Sequence, residues 1–152
     1  PDILFSVGSS ALSDKFKGIL DDFFPRYLKI LMADEFRDNI EEIRIEGHTS
    51  SFWGGESGVS AYLKNMSLSQ ERTRAVLGYI ITKESLNDEQ KEWLKKHFRA
   101  IGFSSALPLD ENSAPLRAGG LENSNKSQRV EFRGRTNIER KVADEVKKNE
   151  SK

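Results

Sequence analysis

One arginine and one short polar loop are the groups in this sequence best suited to bind a small charged ligand. The loop is Gly47-His48-Thr49-Ser50-Ser51, and Arg72 closes the run Asn65-Met66-Ser67-Leu68-Ser69-Gln70-Glu71-Arg72. A guanidinium is a planar fork of donors that matches a carboxylate through two bonds at once. Taken alone, Arg72 reads equally well as a solvated helix residue, and Thr49 and Ser50 as hydroxyls that satisfy the backbone of a turn. The reading adopted is that the two hydroxyls do this and also line a site. His48 at a strand end is a ligand, a base or a hydrogen-bonded structural residue, and the last is favoured because nothing beside it suggests catalysis. Ser50, Ser51 and His48 do not make a triad by sequence, since a nucleophile needs an oriented base. The other histidine, His97, has no partner four residues away, and the chain has no cysteine, so no zinc site is expected. The expectation is a binding site without metal, cofactor or enzymatic activity.

Such groups keep a fixed relation only if stiff elements carry them. Ile43-Arg44-Ile45-Glu46 alternates as a strand, expected over residues 42–47 and running straight into the polar loop. Residues 2–7 are β-rich and closed by Gly8-Ser9-Ser10, which predicts a first strand. Phe16, Ile19, Leu20, Phe23, Phe24, Tyr27, Leu28 and Leu31 then follow the three-and-four rhythm of a helix, with Ser13 as N-cap and Asp14 in its first turn. Pro25 is expected to kink or split that helix, and a short helical remnant over 33–37 leads to the strand. Leu68, Val76, Leu77 and Ile80 predict a second helix, with Ser69 as N-cap, Glu71 favourable to the dipole and an end near Lys83. In the loop between, Phe52 and Trp53 either cover the core edge or present a stacking surface; large aromatics are mostly buried, so the first is favoured. Asn87-Asp88-Glu89 opens a third helix whose face is Trp93, Leu94, Phe98 and Ile101, stopping at Gly102. A strand over 104–109, a long irregular connection over 110–128 and a last strand at Arg129-Val130-Glu131-Phe132-Arg133 complete the pattern. This order predicts an α+β two-layer sandwich, helices packed on one face of a small mixed sheet, with the first two strands as parallel neighbours through a right-handed crossover.

The chain has 152 residues, 36% of them hydrophobic, which suffices for one core and not comfortably for two. One domain over 1–136 is expected, followed by a charged tail over 137–152. In that tail Ile138, Val142 and Val146 support at most a marginal helix, and fraying is favoured. Lysine plus arginine equals aspartate plus glutamate at 24 each; without a net field a nucleic-acid partner is not expected. No run reaches the roughly 18 to 20 apolar residues of a membrane helix, and no signal peptide opens the chain. The first residue is Pro1 rather than methionine, so the sequence reads as processed or cut from a longer one, with any membrane segment upstream of Pro1.

Ile45-Glu46-Gly47-His48-Thr49, then Asn65-x-x-Leu68-Ser69-x-x-Arg72, then Arg129-Val130-Glu131-Phe132 form an ordered set. That set resembles the C-terminal peptidoglycan-binding domain shared by OmpA, Pal and the flagellar stator protein MotB, and the likeness runs from the first strand to the last. The resemblance implies a non-catalytic module that grips the peptide stem of the bacterial cell wall, usually at its diaminopimelate residue. In the family an acid directly after the threonine and the arginine of the leucine-serine-x-x-arginine motif hold that zwitterionic group. The arginine carries over to Arg72, and Asn65 and Leu68 carry over too. Arg129 matches the second arginine of an asparagine-arginine-arginine-valine pattern whose first members are here Ser127 and Gln128. The acid does not carry over: its position is Ser50. A serine accepts a bond from an ammonium group without neutralising it, and charge-assisted bonds are about twice as strong as neutral ones. Lower affinity, a substitute acid such as Glu46 or Glu56, or a different ligand follows. Residues 82–102 are longer and more helical than the family usually has.

The resemblance implies peptidoglycan as partner, a place in the bacterial periplasm or cell envelope, and an upstream membrane component such as a MotB-like stator or an outer-membrane protein. The amphipathic segment 12–31 would suit a homodimer in a stator, although core packing explains it equally. The alternative reading is a protein-interaction module that kept the fold and lost wall binding, suggested by Ser50 and by the Trp93 helix.

Overall fold

The computed structural model describes residues 4–151, apart from the side chains of residues 138–141. Helix α1 spans Asp14–Leu31. It starts where the Ser13 hydroxyl accepts from the Phe16 amide at 3.0 Å, and it buries Phe16, Leu20, Phe24, Leu28 and Leu31. Pro25 does not split it. Losing one amide inside a helix costs about 3 kcal/mol, whereas each large apolar side chain fully buried contributes about 1.5–3 kcal/mol. Phe24 and Leu28, on either side of Pro25, are both buried, so packing outweighs the lost bond.

A short 3-10 turn, Arg37–Asn39, leads into strand β1, Ile40–His48. Helix α2 spans Gly58–Ile81 and α3 Asp88–His97; strand β2 covers Phe98–Ser104. A single-turn helix α4, Ser124–Ser127, precedes strand β3, Arg129–Thr136, and helix α5, Ile138–Glu150, follows. The sheet has the order β2-β1-β3, with β1 parallel to β2 and antiparallel to β3. Ile43 and Ile45 of β1 join Phe24, Val76, Ile80, Leu94 and Phe98 in one core, and Phe24 meets Phe98 edge-on at 6.0 Å. The fold is the expected α+β layer of helices on a small mixed sheet, and the apolar face of α1 packs into that core.

Two glycines set how closely α2 approaches the sheet. Gly47 of β1 pairs with Gly102 of β2. A Cβ on Gly47 would lie 2.8 Å from the Ser69 carbonyl oxygen, and one on Gly102 would lie 2.7 Å from the Gln70 amide nitrogen. Only bare backbone lets the middle of α2 lie this near the strand ends, and that contact places Arg72 beside the loop after β1.

Several elements differ from expectation. Of the predicted first strand, residues 2 and 3 lie outside the described residues; Leu4–Val7 forms no sheet strand, and Phe5 makes only a bridge pair with Leu12. The parallel neighbours are therefore β1 and β2. The third helix ends at His97, and the strand is 98–104 rather than 104–109. Its alternation is hidden because the residues paired with Ile45 and Gly47 are Ala100 and Gly102, too small to look like a core face. Helix α2 begins at Gly58, with Ser57 in the N-cap position, so Ser69 sits mid-helix. The tail does not fray within the described backbone: α5 is helical, with Val142 and Val146 exposed.

Candidate functional site

Arg72 lies on the sheet-facing side of α2, together with Asn65, Leu68, Ser69, Thr73 and Val76. It is only 5% exposed. Its Nε donates to the Ser9 carbonyl at 2.8 Å, Nη2 to the Ser6 carbonyl at 3.2 Å and Nη1 to Gln128 Oε1 at 3.3 Å. The guanidinium also sits 4.8 Å from the Phe5 ring centre. Every one of these partners is neutral, and among the described residues no carboxylate lies within ion-pairing distance of Arg72. Burial pushes its pKa below the ordinary arginine value, as expected when a cation is taken from water. A guanidinium has five N–H donors, so two remain beyond those three bonds.

Arg72 borders a cavity of about 170 Å³ that is also lined by Thr49, Asn65, Leu68, Phe52 and Trp53, and by Val7, Gly8, Gly54 and Gln128. The loop is held over α2 by Asn65, whose Nδ2 donates to the Phe52 carbonyl at 3.2 Å. Thr49 is anchored by its amide, which donates to the Ser104 carbonyl at 2.9 Å, and by its hydroxyl, which donates to the Ser50 carbonyl at 2.9 Å. Phe52 does not cover the core edge: it is 61% exposed and lines the cavity. A loop anchored at Thr49 and Asn65 leaves that ring facing solvent, where it can stack on a ligand.

His48, Ser50 and Arg129 do not line this cavity. Ser50 is buried at 3% exposure. His48 and Arg129 pair across β1 and β3, in an ion network running along the two strands. Arg129 Nε donates to Glu131 Oε1 at 2.7 Å, Arg133 Nη2 to Glu131 Oε2 at 2.9 Å, and Arg133 Nε pairs with Glu46 Oε1 at 3.0 Å. Burial works against ionisation of Glu131, but the bonds from Arg129 and Arg133 together hold its pKa below the usual carboxylate range. The His48 ring lies 4.8 Å from the Phe103 ring, and its Nε2 faces Glu46 Oε1 at 3.2 Å. Burial first, then Arg129, pushes the imidazole pKa below its ordinary value, against the pull of Glu46. Ligand atoms of Glu46, His48 and Glu131 lie within 4.8 Å of one another. The arginines engage both carboxylates, so in this structure these groups form an ion network.

Of the substitute acids, Glu46 belongs to that network and Glu56 is held by Lys64 and Ser60. A third acid was not singled out from the sequence. Glu122, in the connection before β3, accepts from the Ser51 amide at 2.9 Å and the Ser51 hydroxyl at 2.5 Å. Gln128, Ser6 and Ser9 around Arg72 were also missed as partners; only Gln128 carried a signal, as a departure within the last motif.

The sequence model of the OmpA family matches residues 4–120. The Zorya protein ZorB of Escherichia coli is 48% identical over 143 residues, which are 93% of this chain and 57% of ZorB. The chain thus spans little more than half the length of that curated relative. Among solved structures, the OmpA-like domain of FopA1 from Francisella tularensis matches with a TM-score of 0.53 at 21% identity, covering 88% of this chain and 69% of that one. The periplasmic domain of Helicobacter pylori MotB, residues 78–256, matches with a TM-score of 0.57 at 17% identity, covering 97% and 80%. A family match over most of the chain, on a fold shared with FopA1 and MotB, leads to one conclusion: the chain belongs to the OmpA family.

Proposed function

We propose that this domain binds bacterial cell-wall peptidoglycan without chemical turnover, receiving a carboxylate of the stem peptide, diaminopimelate in the family's usual case, at Arg72. The observation that carries this reading is a buried guanidinium with only neutral partners, bordering an open cavity. An unpaired buried cation is costly, and an arriving carboxylate would offset that cost through the remaining donors. Thr49, Asn65 and Leu68 shape the cavity and Phe52 offers a ring at its mouth. Ser50 and Arg129 serve from behind, by packing the loop and by anchoring β3, and His48 is structural. The location that fits is the periplasm, as for the MotB domain, with the domain tethering a membrane component that precedes it.

A second reading, a protein-interaction module that has lost wall binding, is favoured by the three Arg72 donors already given to the chain itself. Co-sedimentation with purified sacculi separates the two. The unmodified domain is expected to pellet. Arg72→Lys, which keeps the charge and loses the planar fork, is expected to bind at least about tenfold more weakly, since bonds to charged groups are worth about 1.5–3 kcal/mol each. A domain that stays in the supernatant, or a folded Arg72→Lys variant that pellets unchanged, removes the wall-binding reading.

A further inference from the structure

We infer that the Arg72 cavity selects a carboxylate whose neighbouring amine is acylated, and that it discriminates against the free zwitterion. The inference rests on the wall-binding reading and names the form of the ligand. Its basis is the charge inventory of the cavity. Among the described residues that line it, Arg72 carries the one formal charge and none is a carboxylate. The acids of the surrounding segments are engaged outside it. Glu46 pairs with Arg133 and faces His48, Glu56 pairs with Lys64, and both oxygens of Glu122 accept from Ser51. Gln128 does line the cavity, and its Oε1 accepts from Arg72 Nη1 at 3.3 Å, so the side chain that meets the guanidinium there is neutral. Ser50 is neutral too, buried and outside the lining.

The nitrogen next to the ligand's carboxylate decides the preference. An ammonium brought into this cavity gives up water, finds no anion and is repelled by the guanidinium at short range. An acylated nitrogen is neutral, and its single N–H needs only a neutral acceptor. Thr49 supplies one: its hydroxyl proton is already given to the Ser50 carbonyl at 2.9 Å, which leaves the oxygen's lone pairs to accept. The acyl group meets the apolar part of the lining, Leu68, Phe52 and Trp53. In a stem peptide this chemistry has two sources. One is a diamino acid whose distal amine has been acylated in a cross-link, and the other is the last residue of a stem, whose nitrogen lies in a peptide bond.

The test is calorimetric titration with diaminopimelate, whose carboxylates both lie beside free amines, and with diacetyl-diaminopimelate, whose amines are both acylated. The unmodified domain is expected to bind the diacetylated compound at least about tenfold more tightly. Gln128→Glu sets a carboxylate against Arg72 while the Ser6 and Ser9 carbonyls still hold the guanidinium, and it is expected to abolish the preference. Equal or tighter binding of the free-amine compound by the unmodified domain overturns the inference. A preference that survives Gln128→Glu overturns it as well, because it then arises outside this cavity. Acetylalanine assigns the source once the preference is seen: binding as tight as that of the diacetylated compound supports the proposal with the last residue of a stem as ligand, and weaker binding supports it with the cross-linked diamino acid. If sacculi pellet the domain through Arg72 and the diacetylated compound is not preferred, only this inference fails. If the domain binds neither sacculi nor either compound, the wall-binding reading fails with it.

Discussion

Burial keeps the His48 imidazole neutral in the middle of a charged network. The ring is fully covered, and its Nε2 faces Glu46. A carboxylate that also holds Arg133 is an acceptor, so Nε2 carries the proton and donates. Nδ1 is then a buried acceptor, and it has no partner. Protonating it would place a buried cation beside the partly buried Arg129. The folded pKa lies below the ordinary 6.5, so as pH falls below about 6.5 the unfolded chain binds more protons than the folded one. Stability is therefore full above that value and declines as pH drops toward the folded pKa. Urea midpoints of the unmodified domain are expected to fall between pH 7.5 and 5.5. His48→Gln, whose amide can keep the bond to Glu46, is expected to show a shallower decline. Identical slopes would show that other groups set the acid response.

The contact of α2 with β1 and β2 is where a single methyl group matters most. Ser69 accepts from the Ser104 amide at 3.0 Å and donates to the Met66 carbonyl at 3.0 Å, so its hydroxyl cannot move aside for a Cβ on Gly102 that would sit 2.6 Å away. Gly102→Ala is expected to lose about 1–3 kcal/mol as an overpacked core does. Gly78→Ala on the same helix, with nothing within 4 Å of the added atom, is expected to hold or gain up to about 1 kcal/mol. Equal effects at the two glycines in denaturant unfolding would refute the close-contact explanation. The same contact explains what the sequence revealed and what it hid. Helix α1 was legible because its buried face is apolar throughout. Helix α2 keeps a regular buried spacing, but Asn65, Ser69, Arg72 and Thr73 fill it with polar groups, so hydrophobic rhythm found only its second half. Strand β2 was hidden by Ala100, which is exposed, and by Gly102, which is bare where α2 approaches it. Thr49, Asn65, Leu68 and Arg72 were legible as motif positions. Glu122 was not, because it reaches the loop through a connection with no regular pattern and 71 residues away in sequence.

At the scale of the whole molecule, the end of strand β3 is tied to the segment that precedes β1. Asn137 ties the end of β3 back to the turn before β1: its amide donates to the Asn39 carbonyl at 2.8 Å and its Nδ2 to the Asp38 carbonyl at 3.3 Å. Beyond it, residues 142–151 are exposed throughout, Val142 and Val146 included, and the pair Lys148–Glu145 is a surface contact within the helix. Surface ion pairs of this kind contribute about 0–1 kcal/mol. From the exposure of residues 142–151 and the charge pattern, the folded unit is expected to end near Asn137. A chain stopped after Asn137 is expected to unfold within about 0.5 kcal/mol of the full chain, the range of ordinary surface changes. A chain stopped after Gly134 loses the pairing of Arg135 and Thr136 with β1 as well as the Asn137 tie, and it is expected to be measurably less stable. Comparable losses in both truncations would mean that α5 packs on the domain in solution and that the unit extends to the end of the helix.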